Sequence, residues 1–316
     1  MAKEHAMIES GRRQSLGKRI WKNRWVYLFL LPGIAFVLLF CYGPMYGLVV
    51  AFKDYKISKG ILGSPWANPW YNNFAMMFKD KKFTAAFFNT IRMGLAYIIT
   101  GFPGPIILAL LLNELRSRHY KNTLQVIYTF PNFLSWVIVG GLMTTIFAGE
   151  GVINSLIRAS GGQTYGFLTD KSLIRPLLYA TSIWKGTGWS AILYLAGIAG
   201  ISPELYEAAA KVDGANRFHK MWYITWPEIR STAVILLILA FGGIMSKGYD
   251  QILNMTNAVV RDAAETIDTY IYRITFQEKP KYGFSTAIGL SKSVINFAFL
   301  LLANKLAKAL GEGGIM

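Results

Sequence analysis

Cysteine is all but missing from this chain: Cys41 stands alone inside an apolar run, so no disulfide can form within the chain. Histidine is nearly as scarce. His5, His119 and His219 lie far apart in sequence, and no metal site is expected from them. Only 17 Asp and Glu occur, none convincingly grouped, which argues against a membrane-embedded polysaccharide synthase or acyltransferase. Charged residues of both signs make up 16% of the chain, where a soluble domain carries about a quarter. That deficit, beside long uncharged runs, points to an integral membrane protein.

A nucleotide-binding loop is lacking too. The nearest string to a phosphate-cradling GxxxxGK[ST], "GRRQSLGKR" at 11–19, has one residue too many and no final hydroxyl. "GTGWSA" at 186–191 mimics a dinucleotide fingerprint but lies within an apolar span with no strand before it. The net charge of +16 comes without a basic stripe interleaved with aromatics, so nucleic acid is not expected as a partner.

What is present is apolar length. Six segments exceed or approach the ~20 helical residues needed to cross a bilayer core: Val26–Phe52, Phe83–Leu112, Leu124–Ala148, Leu173–Ala199, Ser231–Gly248 and Phe284–Asn304. The expected fold is therefore an all-α integral membrane protein with six transmembrane helices. Residues 1–25 form a basic segment before a membrane domain at 26–310. The first run is too long for a cleaved leader's core and no small-residue cleavage site closes it, so a retained signal anchor is expected. The segments that lie inside when the N-terminus is inside carry a modest excess of Lys and Arg, and the cluster before the first span reinforces it. Both termini, and loop 200–229, are thus expected on the cytoplasmic side.

That loop holds a polar island, "ELYEAAAKVDGANRFHKMWYITWPEI" at 204–229. Ser202-Pro203 reads as a helix start, a capping hydroxyl followed by a proline where no amide hydrogen is needed. Leu205, Ala208, Ala209 and Val212 fall on one stripe at i, i+3, i+4 and i+7, with Glu204, Glu207 and Lys211 off it. Gly214 permits the positive φ of a helix stop. A second helix is expected from about Asn216, with Phe218 and Trp222 four apart, ending before Pro227 as the fifth span opens. Three consecutive alanines suit a knob that docks closely into a protein groove better than a helix that rests in lipid headgroups.

Glu207-Ala208-Ala209, four further residues, Gly214, nine more, Ile224, then Trp226-Pro227 resembles the EAA motif of binding-protein-dependent ABC importer permeases. Asp213-Gly214-Ala215 matches the motif's usual DGA, while Trp226 stands where the pattern has Leu. The strings "YGPMYGLVVAFKDYKISKGILGSPW", "NTIRMGLAYII", "WKGTGWSAILYLAGI" and "ETIDTYIYRITF" are similar to the LplB-type branch of complex-oligosaccharide permeases, over nearly the whole chain from about Trp25. The resemblance implies a type I importer permease fold, with 200–229 as the coupling loop seated in a cytoplasmic ATPase subunit. Glu207, Ala208, Ala209, Asp213, Gly214, Ala215, Ile224 and Pro227 would then be the coupling residues. The chain itself would be non-catalytic and bind no cofactor, with ATP and Mg on the partner ATPase. Implied partners are a second, related permease, two ATPase subunits, an extracytoplasmic sugar-binding protein and lipid, in a bacterial inner membrane.

Ionisable residues inside spans mark candidate paths, because a lone charge in lipid is costly. Lys185, flanked by Trp184 and Trp189, is the first candidate, followed by Arg92 and Lys292; Tyr194, Tyr249, Asn89, Asn254 and Asn296 offer ring faces and amides suited to sugars. Arg175, Lys247 and Asp250 stand near span ends, where snorkelling to the interface accounts for them. The basic character of the set, with what the branch carries, raises the expectation of an anionic cargo such as an alginate or pectic fragment. Loops 53–82 and 255–283 are long enough to receive the binding protein. The competing reading is an ion-coupled secondary carrier. It calls for two related halves, which residues 26–148 and 173–304 do not display, and it gives no reason for the island.

Overall fold

A computed structural model describes residues 16–212, 214–311 and 314. Among the described residues the chain is helical, with no strand beyond one isolated antiparallel bridge between Lys53 and Trp66. Helix α1 (Leu16–Lys22) leads into α2 (Arg24–Phe36), which continues through a π-helical turn, Val37–Tyr42, and a 3-10 stretch, Gly43–Phe52. This first rod is apolar all round, and only Val50 and Ala51 of it are buried in the chain. A helix of that kind needs lipid or another protein against it.

A short α3 (Gly60–Gly63) and α4 (Asn72–Lys79) form the following loop. Next come α5 (Lys81–Gly101) and α6 (Pro103–Asn113), one nearly continuous rod hinged at Phe102, where Pro103 has no amide to offer. The third apolar segment departs from expectation. Instead of one helix over Leu124–Ala148, α7 (Arg118–Thr129) ends in a 3-10 turn at Phe130–Phe133, and α8 (Trp136–Phe147) restarts after it. Pro131 interrupts the ladder, and the Ser135 hydroxyl accepts the Ile138 amide at 3.3 Å to cap the new helix. Hydropathy does not register such a break, because both sides of it are apolar.

After α9 (Val152–Ala159), the 26-residue α10 (Ile174–Ala199) runs through the centre and packs on α5, α6 and α7. The island begins with α11 (Pro203–Val212), then α12 (Arg217–Lys220), a π-helical turn at Met221–Thr225 and α13 (Trp226–Gly242). The expected stop before Pro227 is absent. From Arg217 to Gly242 the chain is one helical rod of 26 residues. The widened π turn ahead of Pro227 relieves the clash that a proline ring makes with the carbonyl one turn before it. The rod then stops at Gly242, short of the expected end at Gly248. Residues 243–248 form an irregular stretch around a 3-10 turn at Ile244–Ser246, and α14 (Tyr249–Met255) follows. Helices α15 (Arg261–Ala264) and α16 (Ile267–Tyr272) lead to the long α17 (Tyr282–Ala309), which covers the expected sixth segment and packs on α13.

Among the described residues, five stretches are long and apolar enough to cross a membrane: Arg24–Phe52, Lys81–Asn113, Trp136–Ala159, Arg217–Gly242 and Tyr282–Ala309. The fourth expected segment is α10, as long as the others but richer in Thr, Ser and Gly. Its buried side is lined by core groups. One centres on Met93, Leu178 and Ile252, another on Ile106, Tyr194 and Ile229.

Candidate functional site

The island is built by local rules. The Ser202 hydroxyl accepts the Glu204 amide at 3.3 Å to start α11. At the far end Gly214 takes φ +61°, and the Ala215 amide reaches back to the Ala209 carbonyl at 3.0 Å, a left-handed helix closure that favours glycine. Asn216 then caps α12 by accepting the His219 amide at 2.9 Å. Asp213 lies outside the described residues. Across the elbow, the Tyr206 hydroxyl meets the hydroxyl of buried Thr225 at 3.0 Å, so the π turn and α11 hold one another. Glu207 pairs with Lys211 one turn on at 3.2 Å, both well exposed.

The stripe expected on α11 is not tucked into the chain. Leu205 and Ala208 are exposed, Ala209 is half-buried, and Phe218, Trp222 and Tyr223 are each more than 60% exposed beside them. Ile224 is half-buried and Pro227 exposed. Trp226 packs on the Ile106–Tyr194–Ile229 group, so the larger ring is absorbed by the core. The outcome is a braced elbow with a small-residue knob and an uncovered aromatic rim.

A second feature lies between α5, α6, α10 and α13. A half-open cavity of about 430 Å³ is bounded by Tyr97, Phe102, Pro105, Ser182, Thr187, Ser190, Tyr194, Leu236, Leu239 and Lys247, among others. Of the path candidates, Tyr194 reaches it. Lys185 does not: it is buried, donates to the Asn132 carbonyl at 2.7 Å and lies 5.4 Å from the Trp136 ring centroid, bridging the break between α7 and α8. Trp184, Trp189 and Arg92 are exposed, with Trp189 edge-on to Phe133. Lys292 is paired with Asp268 on α16. Asn296 accepts the Met245 amide at 3.1 Å and so braces the irregular stretch after α13, while Tyr249 stacks near Tyr272 at 6.4 Å. The lysine that does line the cavity is Lys247, which its position at the end of an apolar segment had made look like a snorkelling residue.

Loops 53–82 and 255–283 and the helix ends beside them are held by charges and amides. The Lys53 ammonium is enclosed by the carbonyls of Ile61 and Ser64 at 2.7 and 3.1 Å. Arg175 donates to the Ala263 carbonyl and to Asn89, and Asn89 in turn holds the Asp262 carbonyl at 2.9 Å. Arg273 sits between Glu265 and Glu278, and its bidentate bond to Glu265 holds the guanidinium above its already high ordinary pKa. Asp80 caps α5 through the Lys82 and Phe83 amides and accepts the Tyr270 hydroxyl at 2.7 Å. Burial pulls the Asp80 carboxyl upward, but these donors outweigh it and hold its pKa below the ordinary value.

The family of binding-protein-dependent transport system inner membrane components matches residues 101–312, from the α5–α6 hinge past the end of α17. This chain is a binding-protein-dependent importer permease. The permease is 39% identical to Protein LplB of Bacillus subtilis over 310 residues, covering 98% of this chain and 96% of that one. It is equally 39% identical, over 315 residues, to the polygalacturonan/rhamnogalacturonan transport system permease YteP of the same organism, covering 99% and 97%. Among solved structures, it superposes with a TM-score of 0.86 and 35% identity on a chain of a bacterial alginate ABC transporter in complex with an alginate pentasaccharide-bound periplasmic protein. That match covers 96% of the permease and all of that chain. The permease is thus the non-catalytic, inner-membrane component of a sugar or oligosaccharide ABC importer, and ATP is hydrolysed on a separate partner.

Proposed function

We propose that the permease imports a uronate-containing oligosaccharide, with both its termini and the 200–229 island on the cytoplasmic side and six spans, of which α10 is the fourth. The observation that carries the reading is the uncovered knob on one end of a rod whose other end reaches a cavity. Glu207, Ala208, Ala209, Gly214, Ala215, Ile224 and Pro227 shape or present the knob, and Asp213 belongs to the same motif; the knob seats in an ATPase subunit. Closing of two ATPase subunits on ATP pushes it and rocks the helices. A second, related permease covers the free first rod, and an extracytoplasmic binding protein delivers cargo onto the braced outer loops.

The acidic class of cargo is supported by the two relatives whose names state polygalacturonan and alginate, both polymers of uronic acids. The test is ATP hydrolysis by the complete importer in proteoliposomes, with its binding protein loaded with oligogalacturonate, an alginate oligosaccharide or a neutral oligosaccharide of equal length. Stimulation by one of the acidic sugars alone is expected. Stimulation by the neutral sugar alone overturns the acidic reading and leaves the permease assignment in place.

A further inference from the structure

We infer that Lys247 is the specificity-determining residue of the path, the cation that meets the carboxylate of the cargo; this rests on the acidic-cargo reading above. Three observations converge on it.

The first is charge. Among the described residues no Asp or Glu lines the cavity, and Lys247 is the one charged residue that does. Among the described residues its ammonium has no hydrogen bond or ion pair within the chain, in contrast to Lys53, Lys185 and Lys292, each of which is satisfied by carbonyls or a carboxylate. Burying even part of an ammonium without a partner is costly, so a chain that has neutralised its other interior lysines leaves this one open for something that arrives.

The second is backbone. Lys247 lies in the irregular stretch between α13 and α14, with extended dihedrals of φ −70° and ψ 135°. Gly248 then turns at φ +77°, and the Tyr97 ring lies 3.0 Å from where a Cβ would stand, so another residue there would be strained and would collide. Tyr97 donates to Gln251 at 2.9 Å, and Gln251 donates to the Leu178 carbonyl at 2.6 Å. Asn296 holds the Met245 amide on the other flank. Irregular backbone at membrane depth is tolerated where it is buried in protein or lines a cavity, and here three helices hold it there. The lysine is presented by a fixed frame.

The third is the company it keeps. Ser182, Ser190 and Tyr194 line the same cavity, and their hydroxyls likewise have no partner among the described residues. Donor hydroxyls around a single cation match a sugar ring that carries a carboxylate and several hydroxyls of its own. A neutral sugar would leave the ammonium unpaired, which is how a site of this kind discriminates.

The experiment uses the complete importer in proteoliposomes and follows uptake of a galacturonate pentasaccharide and of its fully methyl-esterified form. The native chain is compared with Lys247→Gln and Lys247→Arg. The binding protein is the same in every arm, so a changed acid-to-ester ratio belongs to this chain. Native importer is expected to favour the acid. Lys247→Gln is expected to lower acid uptake by about tenfold, with ester uptake unchanged or raised, and Lys247→Arg to restore acid uptake. Co-purification of partner permease and ATPase with each variant establishes assembly, and restoration by arginine separates lost charge from lost fold. If Lys247→Gln keeps the native preference for the acid, the ammonium meets something other than cargo and the inference is overturned while the cargo reading stands. If native importer takes up the ester and not the acid, or neither, the cargo reading itself fails and the inference falls with it.

Discussion

The hydroxyls of Tyr206 and Thr225 meet at 3.0 Å across the island, one on the knob helix and one in the π turn at the foot of the long rod. Thr225 is almost fully buried, and among the described residues its only other polar contact is a long one, 3.4 Å, to the Lys220 carbonyl. The bond therefore fixes the angle between the knob helix and the rod, which on the proposed function are the surface that is pushed and the part that moves. Tyr206→Phe should cost about 1 kcal/mol of local stability. It should also lower cargo imported per ATP hydrolysed while leaving complex assembly intact. Parallel measurement of uptake and phosphate release checks this, and an unchanged ratio would refute the bracing role.

At Gly214 the consequence is graded. Among the described residues nothing lies within 4 Å of a Cβ placed there, so any penalty is conformational and not steric against them. Gly214→Asn, tolerant of left-handed backbone, should couple nearly as the native chain does. Gly214→Val should lose about 1–2 kcal/mol at the elbow and uncouple transport from hydrolysis. Equal behaviour of the two variants would show that the positive φ does not matter.

Lys185 and Lys247 should separate cleanly. Lys185→Met removes the donor that satisfies the Asn132 carbonyl at the α7–α8 break, at a cost of about 1–3 kcal/mol. The thermal midpoint of the purified complex should fall, and the acid-to-ester uptake ratio should stay native. A changed ratio would put Lys185 back on the path.

For Lys292 the partner is Asp268, and both side chains are about four-fifths buried. Lys292→Met or Asp268→Asn alone should destabilise by up to about 3 kcal/mol, because one buried charge is left over. The double variant should recover much of the loss. Additive losses in a double-mutant cycle of unfolding midpoints would show that the pair is not coupled.

Asp80 gives a pH dependence of known sign. Its folded pKa lies below the ordinary carboxylate value of about 3.9, so its stabilising contribution is complete above that value and is lost as pH falls through the depressed one. Amide exchange in the first turn of α5 should therefore gain an acid-dependent opening in the native chain. Asp80→Asn should abolish that dependence.

The island was the most legible part of the sequence because its punctuation is chemical and local: Ser202-Pro203 starts a helix, Gly214 turns it and Asn216 caps the next. The apolar rods were legible for the same reason that they cross a membrane. What escaped were the interruptions. Pro131 breaks the third segment where apolar residues continue on both sides, and Pro227, which should have begun a helix, sits inside one because a π turn makes room for it. Lys185 is buried against the Asn132 carbonyl while Lys247 lines the cavity, since position along a segment says nothing about which carbonyl a lysine can reach. The glycines in "GGIMSKG" at 242–248 were the available signal that the fifth segment breaks beside Lys247.

The unbroken helix from Arg217 to Gly242 is 26 residues, about 39 Å at 1.5 Å per residue. One end carries the aromatic rim of the island and the other stops at the irregular stretch that holds Lys247. A tilt of this lever by about ten degrees around its island end swings the far end by about 7 Å, more than one helical turn of 5.4 Å. Such a stroke would move the ammonium relative to helices that do not follow it. On the function proposed above, fuel and freight are handled at opposite ends of one stiff part, and residue 247 offers a place to retune the freight without redesigning the engine.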